Sequence, residues 1–388
     1  MFVAHLELAD FRNYANASVA LVPGPNLFVG SNGQGKTNLV ESITYLATLG
    51  SHRVSSDHAL IRQGADAAIV RARLEHAGRQ VLVELQLNRQ GANRAQVNRA
   101  AVKPRDLPRN VQAVLFAPED LAIVRGEPSG RRRFLDQLLV QLTPRMAGVL
   151  ADYERVLKQR NTLLKSARAA RVGGSGLATL DVWDERLVDL GSEIIEARGA
   201  LVSSLRPFVA DAYSAVAGEV HEAELASELS ILGARPDDDT EVDAESVRSE
   251  IDAAEAASAF AEALTRNRRA ELERGLTLAG PHRDDLLLRL NGLPARGYAS
   301  HGESWSFALA LRLASAALLR GTSPAGDPVL VLDDVFAELD EGRRRRLADA
   351  VRDYEQVLIT AAVESDVPEP LAAHTVRIRG GRVLEEGE

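Results

Sequence analysis

Apolar and polar residues alternate from Phe2 to Phe11, the two-residue period of a half-buried strand. Asn26 to Val29 is a short apolar run entering a glycine-rich segment, and Thr37 to Leu49 has a helical pattern. Two further strand-like runs follow, Ala68 to Leu74 and Val81 to Leu87, and Gln112 to Phe116 is an apolar run closed by Pro118. From about Ser129 the period changes. Leu135, Leu138, Leu139 and Leu142 recur at helical spacing, and stretches rich in Ala, Leu, Arg and Glu continue to about Glu273. This pattern predicts a set of packed helices. It is broken by Gly-Gly-Ser-Gly at Gly173 to Gly176 and by a Pro-Asp-Asp-Asp segment after Arg235. The sustained heptads of a free-standing coiled coil are missing.

The α/β texture returns near Leu276. Asp285 to Leu290 is strand-like and runs into Asn291-Gly292, a hairpin signal. Glu303 to Leu319 is helical, and Pro328 to Leu332 is wholly apolar, as a buried central strand requires. Glu341 to Val351 reads as a helix, Gln356 to Thr360 as a strand, and Thr375 to Leu384 as a hairpin around Gly380-Gly381. The expectation is an α/β domain of residues 1–128 plus 276–388, split by a helical lobe at 129–275.

Composition narrows the class. Of 388 residues 45% are hydrophobic and 26% charged, the profile of a globular chain. No apolar stretch is long enough to span a bilayer, and the opening residues lack the pattern of a secretory signal, so a cytoplasmic location without membrane is the default expectation. Cys is absent, which removes disulfides and thiolate metal sites. The net charge of -9 does not by itself point to nucleic acid. A DNA-binding role would need a local basic face, or one built by oligomerisation.

Two motifs carry chemistry. Gly30-Ser31-Asn32-Gly33-Gln34-Gly35-Lys36-Thr37 fits G-x-x-x-x-G-K-[ST] at every fixed position. Its glycines let backbone N–H groups turn inward around phosphate oxygens, and the following helix directs its positive end at the same anion. Lys36 would reach the β- and γ-phosphates of ATP, and the Thr37 hydroxyl would ligate Mg²⁺. Val329-Leu330-Val331-Leu332-Asp333-Asp334 is an apolar strand ending in two carboxylates. Asp333 would hold the metal, and Asp334 would position or deprotonate the attacking water. This motif is weak alone and gains weight beside the phosphate loop.

Further segments resemble the SMC-like branch of ABC ATPases. Ser300-His301-Gly302-Glu303, directly before a helix, is similar to the ABC signature, in which serine and glycine contact the γ-phosphate held by the opposite subunit. Ala337-Glu338-Leu339-Asp340 looks like the D-loop. Phe11-Arg12-Asn13-Tyr14 resembles the opening of that branch, which implies Arg12 and Asn13 near the nucleotide. Within the branch the likeness is to the RecF family. It rests on Ser51-His52-Arg53, on Phe116-Ala117-Pro118-Glu119-Asp120-Leu121 at the Q-loop place, on Pro128 to Asp136, and on Gly280-Pro281-His282-Arg283-Asp284-Asp285. It covers essentially the whole chain. Three positions depart from the usual ABC pattern: Asp334 stands for Glu, Glu303 for Gln or Gly, and Thr360 or a neighbour for the switch histidine.

The resemblance implies an ABC-type head interrupted by a helical lobe, with ATP gluing two copies head to tail. Slow ATP hydrolysis, as a weak DNA-stimulated ATPase, would reopen the pair. It further implies a clamp on single-stranded, gapped or junction DNA, with RecR and RecO as partners in recombinase loading, repair, replication restart and SOS induction. Arg131, Arg132 and Arg133 are candidates for phosphate contact. Arg343 to Arg346 read mainly as a solvated helical face, and His282 with Asp284 and Asp285 lacks the ligands for a metal site. A transport-type ATPase subunit or a small-molecule P-loop kinase are the rivals. The long insertion argues against the first, and the signature against the second.

Overall fold

The computed structural model describes residues 1–54, 56–170, 178–218, 221–233, 246–248, 250–323 and 326–384; the Gly173–Gly176 and Pro236–Asp239 breaks lie outside them. The chain opens with strands β1 (Phe2–Phe11), β2 (Tyr14–Ala20) and β3 (Gly24–Val29), then helix α1 (Lys36–Thr48). Strands β4 (Ala67–His76), β5 (Arg79–Asn88), β6 (Arg94–Val97), β7 (Ala100–Val102) and β8 (Ala113–Phe116) follow. Helices α2 (Leu121–Arg125), α3 (Pro128–Leu142), α4 (Met146–Ala170) and α5 (Ala178–Ala217) come next, then β9 (Ala223–Glu228), β10 (Val247–Arg248) and α6 (Ala253–Arg274). The remainder is β11 (Asp285–Leu290), β12 (Leu293–Pro294), α7 (Ala295–Tyr298), α8 (His301–Thr322), β13 (Val329–Asp333), α9 (Glu341–Val351), β14 (Gln356–Ala361), β15 (Thr375–Arg379) and β16 (Arg382–Val383).

These elements form two compact units. The first holds Met1–Leu121, Phe208–Val220 and Trp305–Glu388, and the second Ala122–Pro207 and His221–Ser304. In the first unit one sheet runs in the order β16-β15-β3-β14-β13-β8. β15, β3, β14, β13 and β8 are parallel neighbours, and only β16 is antiparallel. β13 and β14 are buried along their whole length, which is why Val329–Leu332 of β13 reads as a continuous apolar run. A second, antiparallel sheet runs β2-β1-β4-β5-β6-β7. Its inward residues, among them Leu6, Leu8, Val70, Val83 and Leu85, share one core with Leu39, Ile43 and Leu46 of α1. The outward residues are mostly polar, among them His5, Glu7, Arg71, Arg73 and Glu84, the expected division for a sheet with one wet face.

The second unit is helical but not wholly so. A four-stranded sheet, β10-β9-β11-β12, runs through it. The all-helix expectation for residues 129–273 is therefore corrected at β9. Ala223–Glu228 has no β-branched residue, and its strand form comes from antiparallel pairing with β11, from Asp285↔Glu228 to Leu290↔Ala223. The pairing also brings the segment before the signature into this second unit. Among the described residues, no helix is long and apolar enough to cross a membrane.

Candidate nucleotide-binding site

Strand order builds the first half of the site. β3 and β13 flank β14, so the loop after β3 and the carboxylates ending β13 emerge at the same edge. The loop is shaped by glycine. Gly35 has φ of 119°, a region closed to side chains, and a Cβ there would meet the Asn13 amide and the Tyr14 hydroxyl within 2.9 Å. A Cβ on Gly30 would lie 2.3 Å from the Ile378 carbonyl oxygen of β15. The turn between β15 and β16 also grips the loop: Gly380 N–H donates to Gln34 Oε1 at 2.6 Å, and Gly381 N–H to the Gln34 carbonyl at 2.9 Å. Asn13 Nδ2 donates to that same carbonyl at 3.1 Å. The Gln34 peptide is thus fixed from two sides.

Lys36 Nζ is buried and folds back over the loop, donating to the carbonyls of Gly30 at 2.7 Å and Ser31 at 3.4 Å. Thr37 Oγ1 donates to Asp333 Oδ1 at 3.0 Å, and Thr360 Oγ1 donates to the same oxygen at 2.6 Å. The Thr360 hydroxyl in turn accepts the Asp334 N–H at 2.9 Å. One threonine therefore bridges both aspartates, at the place where a switch histidine is usual. Burial, followed by the Asp334 charge, pushes the Asp333 carboxyl up to about 6, against the two hydroxyl donors that lower it. A site that penalises its own carboxylate in this way favours a cation beside it. A hydroxyl and a carboxylate at 3.0 Å form an all-oxygen donor pair, which suits a hard divalent ion such as Mg²⁺ completed by phosphate and water.

Asp334 has φ of 51° and ψ of 19°, in the left-handed region. Asp and Asn tolerate that region far better than longer side chains. The backbone thus gives a local reason for Asp where Glu is usual. Asp340 caps α9, its Oδ1 accepting the Arg343 N–H at 2.9 Å. Arg12 is engaged by the helix that follows the loop. Its guanidinium is held by the buried Glu41 carboxylate of α1, through Nε at 2.9 Å and Nη2 at 2.7 Å, and its Nη1 donates to the Ala59 carbonyl at 3.1 Å. Its neighbours contact the loop directly: Asn13 through the Gln34 carbonyl, and Tyr14, whose hydroxyl donates to the Gly35 carbonyl at 3.1 Å.

The signature residues lie in the second unit. Ser300 N–H donates to Glu303 Oε2 at 2.7 Å, and Glu303 N–H to Ser300 Oγ at 3.3 Å. This reciprocal pair is a capping box for α8, and it accounts for Glu303. The S-x-x-E spacing is the sequence signal for it. Ser300 and His301 are exposed and Gly302 is half-buried at this helix start.

Arg131 does not suit a DNA contact. It is buried and pairs with Asp285 in a bidentate bond at 2.7 Å on each arm. Arg132 donates to the Asp284 carbonyl at 2.7 Å, and Arg133 is the exposed member of the three. His282 is occupied by Tyr153 at 2.7 Å, and no cluster of three or more metal-ligating side chains exists among the described residues.

Comparison with known proteins adds a separate line. The RecF/RecN/SMC N terminal domain family matches residues 2–378. A DNA replication and repair protein RecF of Clavibacter sepedonicus is 64% identical over 388 residues, covering 99% of this chain and 95% of its own. That of Leifsonia xyli subsp. xyli is 63% identical over 385 residues, covering 99% and 100%. A solved structure of the recombination mediator protein RecF-ATPrS in the RecFOR pathway superimposes with a TM-score of 0.85 at 27% identity, covering 98% of this chain and 97% of that one.

Proposed function

Because the chain belongs to the RecF/RecN/SMC N-terminal domain family, and within it to the RecF proteins, we propose that it is an ATP-driven DNA clamp of recombinational repair. The observation that carries this reading is the convergence of Lys36, Thr37, Asp333, Asp334 and Thr360 at one sheet edge. ATP binds at Gly30–Thr37, and its phosphates take the Lys36 ammonium from the Gly30 and Ser31 carbonyls. Thr37 and Asp333 would hold Mg²⁺, which would supply positive charge beside the phosphoryl group. Asp334 orients the attacking water. Thr360 keeps the two carboxylates in register. Ser300 and Gly302 of a second copy present the N-terminal end of α8 to the γ-phosphate, so the nucleotide joins two chains in a pair with two composite sites. Hydrolysis removes that anion and releases the pair.

DNA binding by an acidic chain needs a local basic surface. Residues 67–109, which form β4 to β7 and the turn after them, contain nine Lys and Arg against three Asp and Glu. Arg73, Arg79, Arg94, Arg99, Lys103 and Arg105 are exposed. That surface supports phosphate-backbone contact, which reads charge rather than sequence. By the family's likeness the DNA is single-stranded, gapped or a junction, RecO and RecR are partners in recombinase loading, and replication restart and SOS induction follow.

Light scattering with and without Mg-ATP tests the reading on the native chain, Lys36→Arg and Ser300→Arg. ATP should double the mass of the native chain, and Ser300→Arg should abolish the doubling while leaving nucleotide binding intact. A native chain that binds ATP and stays monomeric with and without DNA would favour a kinase-like enzyme instead.

A further inference from the structure

His52 is a largely buried imidazole, with both ring nitrogens shielded from water and no assigned work. Its side chain is 13% exposed, and neither Nδ1 nor Nε2 has a hydrogen-bond partner among the described residues. Orphaned buried nitrogens cost stability and are rare in native proteins. This one is held in place. Ser51 Oγ accepts the N–H groups of Arg53 at 3.0 Å and Val54 at 3.1 Å, so residue 52 sits in a pinned turn. Ser51 is itself hydrogen-bonded to the Glu41 carboxylate, which the Arg12 guanidinium also clamps. The turn aims Nε2 at Asp333 Oδ2, at a distance of 3.9 Å. The two threonines both use Oδ1. Among the described residues no donor is seen for Oδ2 on the side where His52 stands, and 3.9 Å is too long for a hydrogen bond yet short enough to close by a small carboxylate rotation or one bridging water.

We propose that His52 is a positioning residue of the cation site: its Nε2–H donates to Asp333 Oδ2, directly or through one water, and fixes the carboxylate for Mg²⁺. A metal-ligating carboxylate commonly has such a hydrogen-bonded support, and its loss weakens metal binding more than it weakens the fold. The imidazole thus serves the acidic pair from the segment after α1 rather than from the end of β14, where Thr360 stands. This inference rests on the nucleotide-site reading above.

The test uses the full chain with His52→Leu, His52→Gln and His52→Asn. Three quantities are read: the thermal midpoint without ligand, affinity for a fluorescent ATP analogue in EDTA, and the Mg²⁺ concentration that half-saturates its binding. Leu removes two unsatisfied nitrogens, so the unliganded midpoint should hold or rise. Affinity in EDTA should match the native chain, and the Mg²⁺ midpoint should rise five- to tenfold. Gln, whose amide nitrogen reaches as far as Nε2, should return it to within twofold. Asn falls short, so it should behave as Leu does, and it replaces Leu if that variant does not fold. A lower thermal midpoint with an unchanged Mg²⁺ midpoint would make His52 a packing residue and overturn the proposal, as would Gln failing to restore it. A native chain that binds no nucleotide sinks the site reading itself, a result distinct from normal native binding that His52→Leu leaves untouched.

Discussion

Replacing Thr360 with Val keeps the shape of the side chain and deletes one hydroxyl, which separates chemistry from packing. That hydroxyl donates to Asp333 Oδ1 at 2.6 Å and accepts the Asp334 N–H at 2.9 Å. The orphaned Asp334 N–H should cost about 1–3 kcal/mol of stability. The Asp333 carboxylate loses a donor that favours its charged form, and a hydrogen bond to a charged group is worth about 1.5 kcal/mol, which moves a pKa by roughly one. Asp333, already pushed up to about 6, would then titrate near neutrality. Protons compete with Mg²⁺ for the same oxygens. Relative to the native chain, the Mg²⁺ requirement should therefore rise about fivefold at pH 6, about twofold at pH 7, and hardly at pH 8. The assay is a Mg²⁺ titration of ATP-analogue binding at each pH, taken as the ratio to native so that titration of the nucleotide cancels. Thr360→Ser keeps the hydroxyl and should stay near native. A ratio independent of pH, or no penalty at pH 6, would refute the bridging role of Thr360.

Three other substitutions test neighbouring conclusions. Arg131→Ala should destabilise the chain by about 3–5 kcal/mol in a denaturant titration, because it strands a nearly buried Asp285 carboxylate; a drop in DNA affinity without loss of stability would restore Arg131 to the DNA contacts. Glu228 lies across from Asp285, and burial, then the charges of Asp285 and Asp284, push its carboxyl from 4.5 up to about 7. A raised folded pKa contributes stability that is fully present below pH 4.5 and lost as pH rises through 7, so Glu228→Gln should stabilise the chain at pH 8 by about 1–3 kcal/mol and not at pH 4, read as pH-dependent thermal midpoints. Glu303→Ala removes half of the α8 capping box and should cost about 0.5–2 kcal/mol together with part of the ATP-driven mass increase, whereas Glu303→Gln keeps the reach and should retain both.

The parts of the site legible in the sequence are those made by contiguous residues. The phosphate loop announces itself through glycine spacing, and β13 through five buried residues in a row ending at Asp333. Helices α1 and α9 follow the same rule, because 3.6-residue periodicity and a capping Asp340 are local signals. What stays hidden is set by distance along the chain. The resemblance puts Thr360 or a neighbour at the switch place, but its contact with both aspartates arises only because β14 inserts between β3 and β13, an order no local pattern carries. His52 and Glu41 are likewise brought to their partners by tertiary packing. β9 has a composition that favours helix and becomes a strand through its partner β11, a tertiary override of propensity. Arg131 reads as a surface charge in sequence, and only its distance to Asp285 reveals a buried ion pair.

The grip of Gly380 and Gly381 on Gln34 spans 346 residues of sequence. On a ribosome, the phosphate loop leaves early while β13, β14 and the hairpin that seats it are still unmade. At about 5–20 residues per second the loop waits roughly 17–70 s for those supports. During that interval it has its consensus sequence but neither Asp333 nor Thr360 beside it, and β3 lacks its parallel neighbours β14 and β15. The nucleotide site is therefore completed only when the last strands of the parallel sheet are in place.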